Sequence, residues 1–115
     1  MTKKIPQSAK VVIIGGGVAG CSVAYHLSKF GWKDVVLLER DQLTSGTTWH
    51  AAGLIGQLGS SATITKLRNY SLNLYKQLEK ETGLSTGLKQ NGSLTVATTE
   101  GRLQELKRQV TTAQL

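Results

Sequence analysis

Two apolar tetrapeptides, Val11-Val12-Ile13-Ile14 and Val35-Val36-Leu37-Leu38, are separated by a glycine turn and a segment of helical periodicity, and this order constrains the fold more than any other feature. Continuous apolar runs bounded by turn residues suit parallel strands buried on both faces. Parallel neighbours need a crossover. Between them Val23, Ala24 and Leu27 fall on one face of a helix predicted from about Ala19 to Lys29, with Gly31 as its C′ residue.

The turn, Gly15-Gly16-Gly17-Val18-Ala19-Gly20, has glycine at all three positions of GxGxxG. Gly15 permits the tight exit from the strand, Gly17 removes a Cβ from the path of a pyrophosphate, and Gly20 lets the helix approach the sheet. N–H groups of the first helical turn, near Val18 and Ala19, face phosphate with the helix dipole behind them. Glu39 stands close to the spacing at which a carboxylate meets both ribose hydroxyls of an adenosine and repels a 2′-phosphate, so FAD or NAD is expected over NADP. Arg40 reads either as a contact to adenine or phosphate or as a solvated strand-end cation. The expected class is α/β: the N-terminal part of a doubly wound, Rossmann-like FAD-binding domain with a parallel sheet.

Beyond Glu39 comes a stretch that a plain nicotinamide domain does not require, Ser45-Gly46-Thr47-Thr48-Trp49-His50-Ala51-Ala52-Gly53. Thr47 and Thr48 can donate hydroxyl and N–H bonds to phosphate oxygens, while Ala51, Ala52 and Gly53 leave room beside a flat ring. A neutral imidazole is a competent nucleophile, so His50 held against a flavin methyl group can become attached to it. The plainer reading is a loop histidine bonded to a backbone carbonyl. His26, in the crossover helix without an acidic or cysteine partner at ligand spacing, reads as packing or surface.

These segments, with Leu38-Glu39-Arg40, Glu79-Lys80-Glu81-Thr82-Gly83-Leu84-Ser85-Thr86-Gly87 and Gln90-Asn91-Gly92-Ser93-Leu94, resemble the dimethylglycine and sarcosine dehydrogenase family over nearly the whole chain, and most of all its sarcosine enzymes. The resemblance implies an FAD-dependent amine oxidoreductase. In the family, the histidine of the Thr-Trp-His-Ala loop carries FAD covalently through the 8α carbon, a role that transfers to His50. Thr47, Thr48, Trp49 and the backbone around Leu54 transfer as noncovalent contacts. The implied reaction is oxidative N-demethylation of sarcosine or dimethylglycine. A hydride passes from the N-methyl carbon to flavin N5, leaving an iminium that hydrolyses to formaldehyde or is captured by tetrahydrofolate. Electron-transfer flavoprotein and dioxygen are both compatible acceptors. The alternative is a noncatalytic regulatory protein on the same fold, like the pyruvate dehydrogenase phosphatase regulatory subunit, which resembles the chain elsewhere but lacks the histidine loop. An NAD-dependent dehydrogenase shares the first forty residues but gives no reason for Gly46 to Gly53.

A chain of 115 residues holds about half of a doubly wound fold, and Leu103, Leu106 and Val110 recur at helical spacing up to Leu115 without a cap, so it reads as a fragment expected to be inactive alone. Residues 1–53 are expected to form the dinucleotide-binding βαβ unit with the attachment loop. Residues 54–115 read as a further, C-terminally truncated part of the same domain. Gly56 to Ser61 reads as a flexible linker capping a helix from Ala62 to about Glu81, with Leu67, Tyr70, Leu74 and Leu78 on its apolar face and Gly83 ending it. Leu94 and Val96 alternate with polar residues as a strand before a last helix from about Thr99.

The net charge of +7 raises nucleic acid as a partner. The cations are dispersed, however: Lys3 and Lys4 in a tail, Lys66, Lys76 and Lys80 on one helix, Arg102, Lys107 and Arg108 on another, with no aromatic interleaving. Neither nucleic acid nor membrane is expected, since no apolar run has transmembrane length. The single cysteine, Cys21, allows no internal disulfide and reads as small packing. With a glycine turn beginning within fifteen residues of Met1 and no signal-like segment before it, the expected compartment is the cytoplasm.

Overall fold

The computed structural model describes residues 6–114, so Lys3, Lys4 and Leu115 lie outside the described residues. The chain divides into two compact units, Met1–Leu54 and Ile55–Leu115.

In the first unit, strand β1 (Val11–Ile14) pairs in parallel with β2 (Val35–Leu38), and helix α1 (Val18–Lys29) makes the crossover and packs on both. The register aligns Val11 with Val35 and Ile14 with Leu38, so the two strands end level and the glycine turn sits beside Glu39. This is the expected α/β unit, with a two-stranded parallel sheet. The helix begins at Val18, one residue earlier than the periodicity suggested, because Gly17 is extended and acts as N-cap. At its other end Gly31 N–H donates to the Ser28 carbonyl and Trp32 N–H to the Leu27 carbonyl, the paired bonds of a Schellman motif, with Gly31 at φ 83°.

The strands are less buried than their composition predicts. Ile13 is buried, whereas Val12 and Ile14 are exposed and β2 is half-buried, because among the described residues only α1 covers the sheet. Val23 likewise faces outward on α1 while Ala24 and Leu27 are half-buried.

The second unit holds α2 (Ala62–Thr82) and α3 (Glu100–Ala113). Ser61 caps α2, its hydroxyl accepting from Ile64 N–H, and Gly83 ends it in the left-handed conformation. Thr99 caps α3 in the same way through Arg102 N–H. The segment before α2 is more than a flexible linker. Gly59 N–H donates to Thr65 Oγ1, Arg68 donates to the Leu58 carbonyl, and a Cβ on Gly59 would lie 2.5 Å from Ile64, so residues 58–59 are fastened to the helix they precede.

Two expectations for this unit fail. Leu67 and Tyr70 are exposed, and Leu72 is the buried residue of α2; the seam runs through half-buried Leu74, Tyr75 and Leu78 instead. Leu94 and Val96 lie in irregular, exposed backbone and form no strand, because no neighbouring segment among the described residues pairs with them. A strand is defined by its ladder, and alternation alone cannot supply one.

Candidate dinucleotide and flavin site

The site is built where both strands end. Gly15 leaves β1 at φ 101°, a backbone state that L side chains rarely adopt, and its N–H reaches across to the Leu38 carbonyl at 2.8 Å. The chain then folds back so tightly that a Cβ on Gly20 would lie 1.9 Å from the Gly15 carbonyl oxygen. These two glycines set the close approach of helix to strand.

Gly16, at a motif position that does not demand glycine, turns out to be the hub. A Cβ there would lie 2.5 Å from Leu43 and 3.1 Å from Glu39. Its N–H donates to Glu39 Oε2 at 2.6 Å, while its carbonyl accepts from Thr44 N–H at 2.9 Å and from the Cys21 thiol at 3.3 Å. Sequence reasoning passed over it because the motif leaves that position open; three consecutive glycines were the available signal. The thiol bond gives Cys21 a local structural part.

Glu39 closes the turn from the other side. Oε1 accepts from the N–H groups of Arg40 at 2.7 Å and Asp41 at 3.1 Å. The bond from Gly16, followed by those from Asp41 and Arg40 and by the Arg40 charge, holds the carboxyl below the ordinary carboxylate range. It is ionised at neutral pH, and of its about four acceptor positions one, on Oε2, is left for a further donor. The Arg40 side chain is exposed beside it.

The loop after Glu39 is tied to the turn at two points. Thr44 N–H meets the Gly16 carbonyl, and Thr48 Oγ1 accepts from Val18 N–H at 2.9 Å. Of the two first-turn donors assigned to phosphate, Val18 thus has a protein acceptor. Those of Ala19 and Gly20 follow in a turn whose N–H groups have no intrahelical acceptor. Gly17 is what admits Thr48, since a Cβ at Gly17 would stand 3.0 Å from its hydroxyl oxygen. Thr44 adopts φ 67°, unusual for a β-branched residue.

From Gly46 the loop winds through overlapping turns: Trp49 N–H to Gly46, His50 N–H to Thr47 and Ala51 N–H to Thr48. His50 is exposed, and its Nδ1 lies 3.0 Å from the Gly46 carbonyl oxygen. That is the carbonyl bond of a plain loop histidine, and it engages only one ring nitrogen. Thr47, Trp49 and Leu54 are exposed, the last at 91%. His26 turns back on its own helix, with Nδ1 2.7 Å from the Ser22 carbonyl oxygen and its ring edge-on to Tyr25. Among the described residues no group of side chains could hold a metal ion. A shallow recess lined by Phe30, Trp32 and Asp34 lies at the opposite ends of the strands, away from the glycine turn.

A parallel strand pair joined by a helix, with a glycine turn opening the helix and a carboxylate closing the second strand, defines a dinucleotide-binding βαβ unit. Residues 10–115 match the FAD dependent oxidoreductase family, and the chain belongs to it. It is 52% identical over 103 residues to the mitochondrial dimethylglycine dehydrogenase of Homo sapiens and 49% identical over 108 residues to the mitochondrial sarcosine dehydrogenase of Homo sapiens. It is similarly 51% identical over 104 residues to the mitochondrial pyruvate dehydrogenase phosphatase regulatory subunit of Mus musculus. These matches cover 90%, 93% and 90% of this chain but 12% of each relative, so the chain spans about an eighth of their length. No helix among the described residues is long and apolar enough to cross a membrane.

Proposed function

We propose that the protein carries FAD covalently on His50 and oxidises the N-methyl group of a small amino acid, sarcosine or dimethylglycine. The observation that carries this reading is the placement of the His50 ring, exposed and bonded through Nδ1 to the Gly46 carbonyl. A carbonyl oxygen only accepts, so Nδ1 is the donor in the bond to Gly46, and in the neutral imidazole Nε2 then carries the lone pair on an exposed ring. An imidazole in that tautomer, oriented by a backbone bond, is a prepared nucleophile.

The residues around it fit the rest of the cofactor. The tight Gly15 and Gly20 approach and the first-turn donors suit the pyrophosphate, and the ionised Glu39 carboxylate suits the ribose hydroxyls. Thr48 accepts from Val18 and retains its own hydroxyl proton for a phosphate oxygen. Arg40, Thr47, Trp49 and the backbone at Leu54 are exposed on the same unit, open to contact. FAD, when bound, supplies a two-electron acceptor for the hydride leaving the N-methyl carbon. In this reading an electron-transfer flavoprotein or dioxygen then takes the electrons, and tetrahydrofolate is a candidate acceptor of the released carbon unit.

The similarity to the regulatory subunit is as strong as that to the dehydrogenases, which keeps a noncatalytic role as the competing reading. The presence of His50 in its loop favours the enzyme. The full-length protein, precipitated with acid, is expected to keep its yellow fluorescence in the pellet and to lose it in His50→Ala. Complete release of colour from the wild type removes the covalent role, and absence of turnover with both sarcosine and dimethylglycine favours the regulator.

A further inference from the structure

We infer that the Thr48 hydroxyl is a latch that holds the His50 loop on the start of α1, making Thr48 a positioning residue for flavin attachment; this rests on the reading of His50 given above. Thr48 Oγ1 takes Val18 N–H at 2.9 Å, thirty residues away in sequence, and is the side-chain bond joining this loop to the helix. The glycine at position 17 makes room for that oxygen.

The latch reaches His50 because the intervening backbone is wound into consecutive turns. Trp49, His50 and Ala51 N–H groups bond the carbonyls of Gly46, Thr47 and Thr48, and the His50 ring bonds Gly46. Residues 46–51 therefore move as one piece, and fixing Thr48 fixes the direction of the imidazole. The second tie, Thr44 N–H to the Gly16 carbonyl, is a backbone bond that no substitution at 48 removes. Losing the hydroxyl is accordingly expected to loosen residues 46–51 while leaving the start of the loop in place.

Attachment exchanges one 8α C–H and the imidazole proton for the Nε2–C bond, and the two hydrogens leave on dioxygen as hydrogen peroxide. At saturating FAD its rate depends on where Nε2 points.

The test compares Thr48→Val, similar in shape but without the hydroxyl, with Thr48→Ser, which keeps it, in the full-length protein. Amide hydrogen exchange of the flavin-free protein is expected to rise about five-fold across residues 46–51 in Thr48→Val, the factor that one ordinary hydrogen bond contributes, and to stay at the wild-type rate in Thr48→Ser. With FAD added to saturation, the rate of covalent incorporation is expected to fall at least as far in Thr48→Val and to recover in Thr48→Ser. Unchanged exchange in Thr48→Val overturns the latch, as does a wild-type rate of covalent incorporation in Thr48→Val at saturating FAD. A wild type that releases all its flavin on denaturation refutes the covalent role of His50 instead, and the exchange measurement then decides the latch alone.

Discussion

Replacing Gly20 by alanine sets two large effects against each other. Inside a helix, glycine costs about 1 kcal/mol relative to alanine, so propensity favours the change. The new Cβ, however, would stand 1.9 Å from the Gly15 carbonyl oxygen, about 1.1 Å short of the 3.0 Å that such atoms keep, with Ile13 at 3.3 Å behind it. The obstacle is backbone already committed to the Gly15 turn, so α1 must retreat from β1 by that amount. Overpacking of this kind typically costs about 1–3 kcal/mol, and an overlap with rigid backbone belongs at or beyond the upper end. Clash wins, and a net loss of about 2 kcal/mol is expected. Gly101 provides the internal comparison: it also lies in a helix, yet a Cβ there meets nothing within 4 Å, so Gly101→Ala is expected to stabilise by about 0.5–1 kcal/mol. Urea denaturation of the full-length variants, followed by FAD titration, reads both. If Gly20→Ala unfolds at the wild-type midpoint or above and binds FAD normally, the close approach of α1 to the turn is wrong.

Three further outcomes are expected. Glu39 has a folded pKa below its usual 4.5, so the stability it contributes is present above that value and is lost as pH falls through the lowered folded pKa; Glu39→Gln should flatten this acid-limb dependence and weaken FAD binding, and an unaltered pH profile would count against the turn-closing role. Thr44 sits at φ 67°, where a β-branched residue pays about 1–3 kcal/mol, against roughly 0.4–1 kcal/mol for the added unfolded-state freedom of glycine; Thr44→Gly should therefore raise the denaturation midpoint, and a fall would show that its side chain matters more than its backbone. Leu72, only 4% exposed, is expected to cost about 2–5 kcal/mol on truncation to alanine, while the same change at exposed Leu67 should cost under about 1 kcal/mol; equal costs would mean that the face of α2 has been misassigned.

How far the site was legible follows from the kind of information each part uses. The strand–turn–helix–strand order, the C′ glycine at 31, the capping segment ending at Ser61 and the start of the last helix near Thr99 all depend on neighbours in sequence, and local stereochemistry expresses itself in local pattern. The buried face of α2 was read correctly at Leu74 and Leu78 and misread at Leu67 and Tyr70, because Leu72 and Tyr75 are also apolar at neighbouring helical positions and only tertiary packing selects among them. Spacing placed Glu39 at the end of the second strand, but its bond to Gly16 required the level ending of the two strands.

The sequence by itself determined that a glycine-bearing crossover would join two parallel strands, since two continuous apolar runs flanking a glycine turn and a helical period are the local pattern of a βαβ unit. It also determined that a histidine would follow in a loop of small residues. Tertiary structure alone decided that Gly16 is the point where strand end, carboxylate and loop converge, and that Val18 N–H belongs to Thr48. Those outcomes come from hydrogen bonds between groups twenty to thirty residues apart, whose partners are chosen only when folding brings a donor and an acceptor within 3 Å of each other.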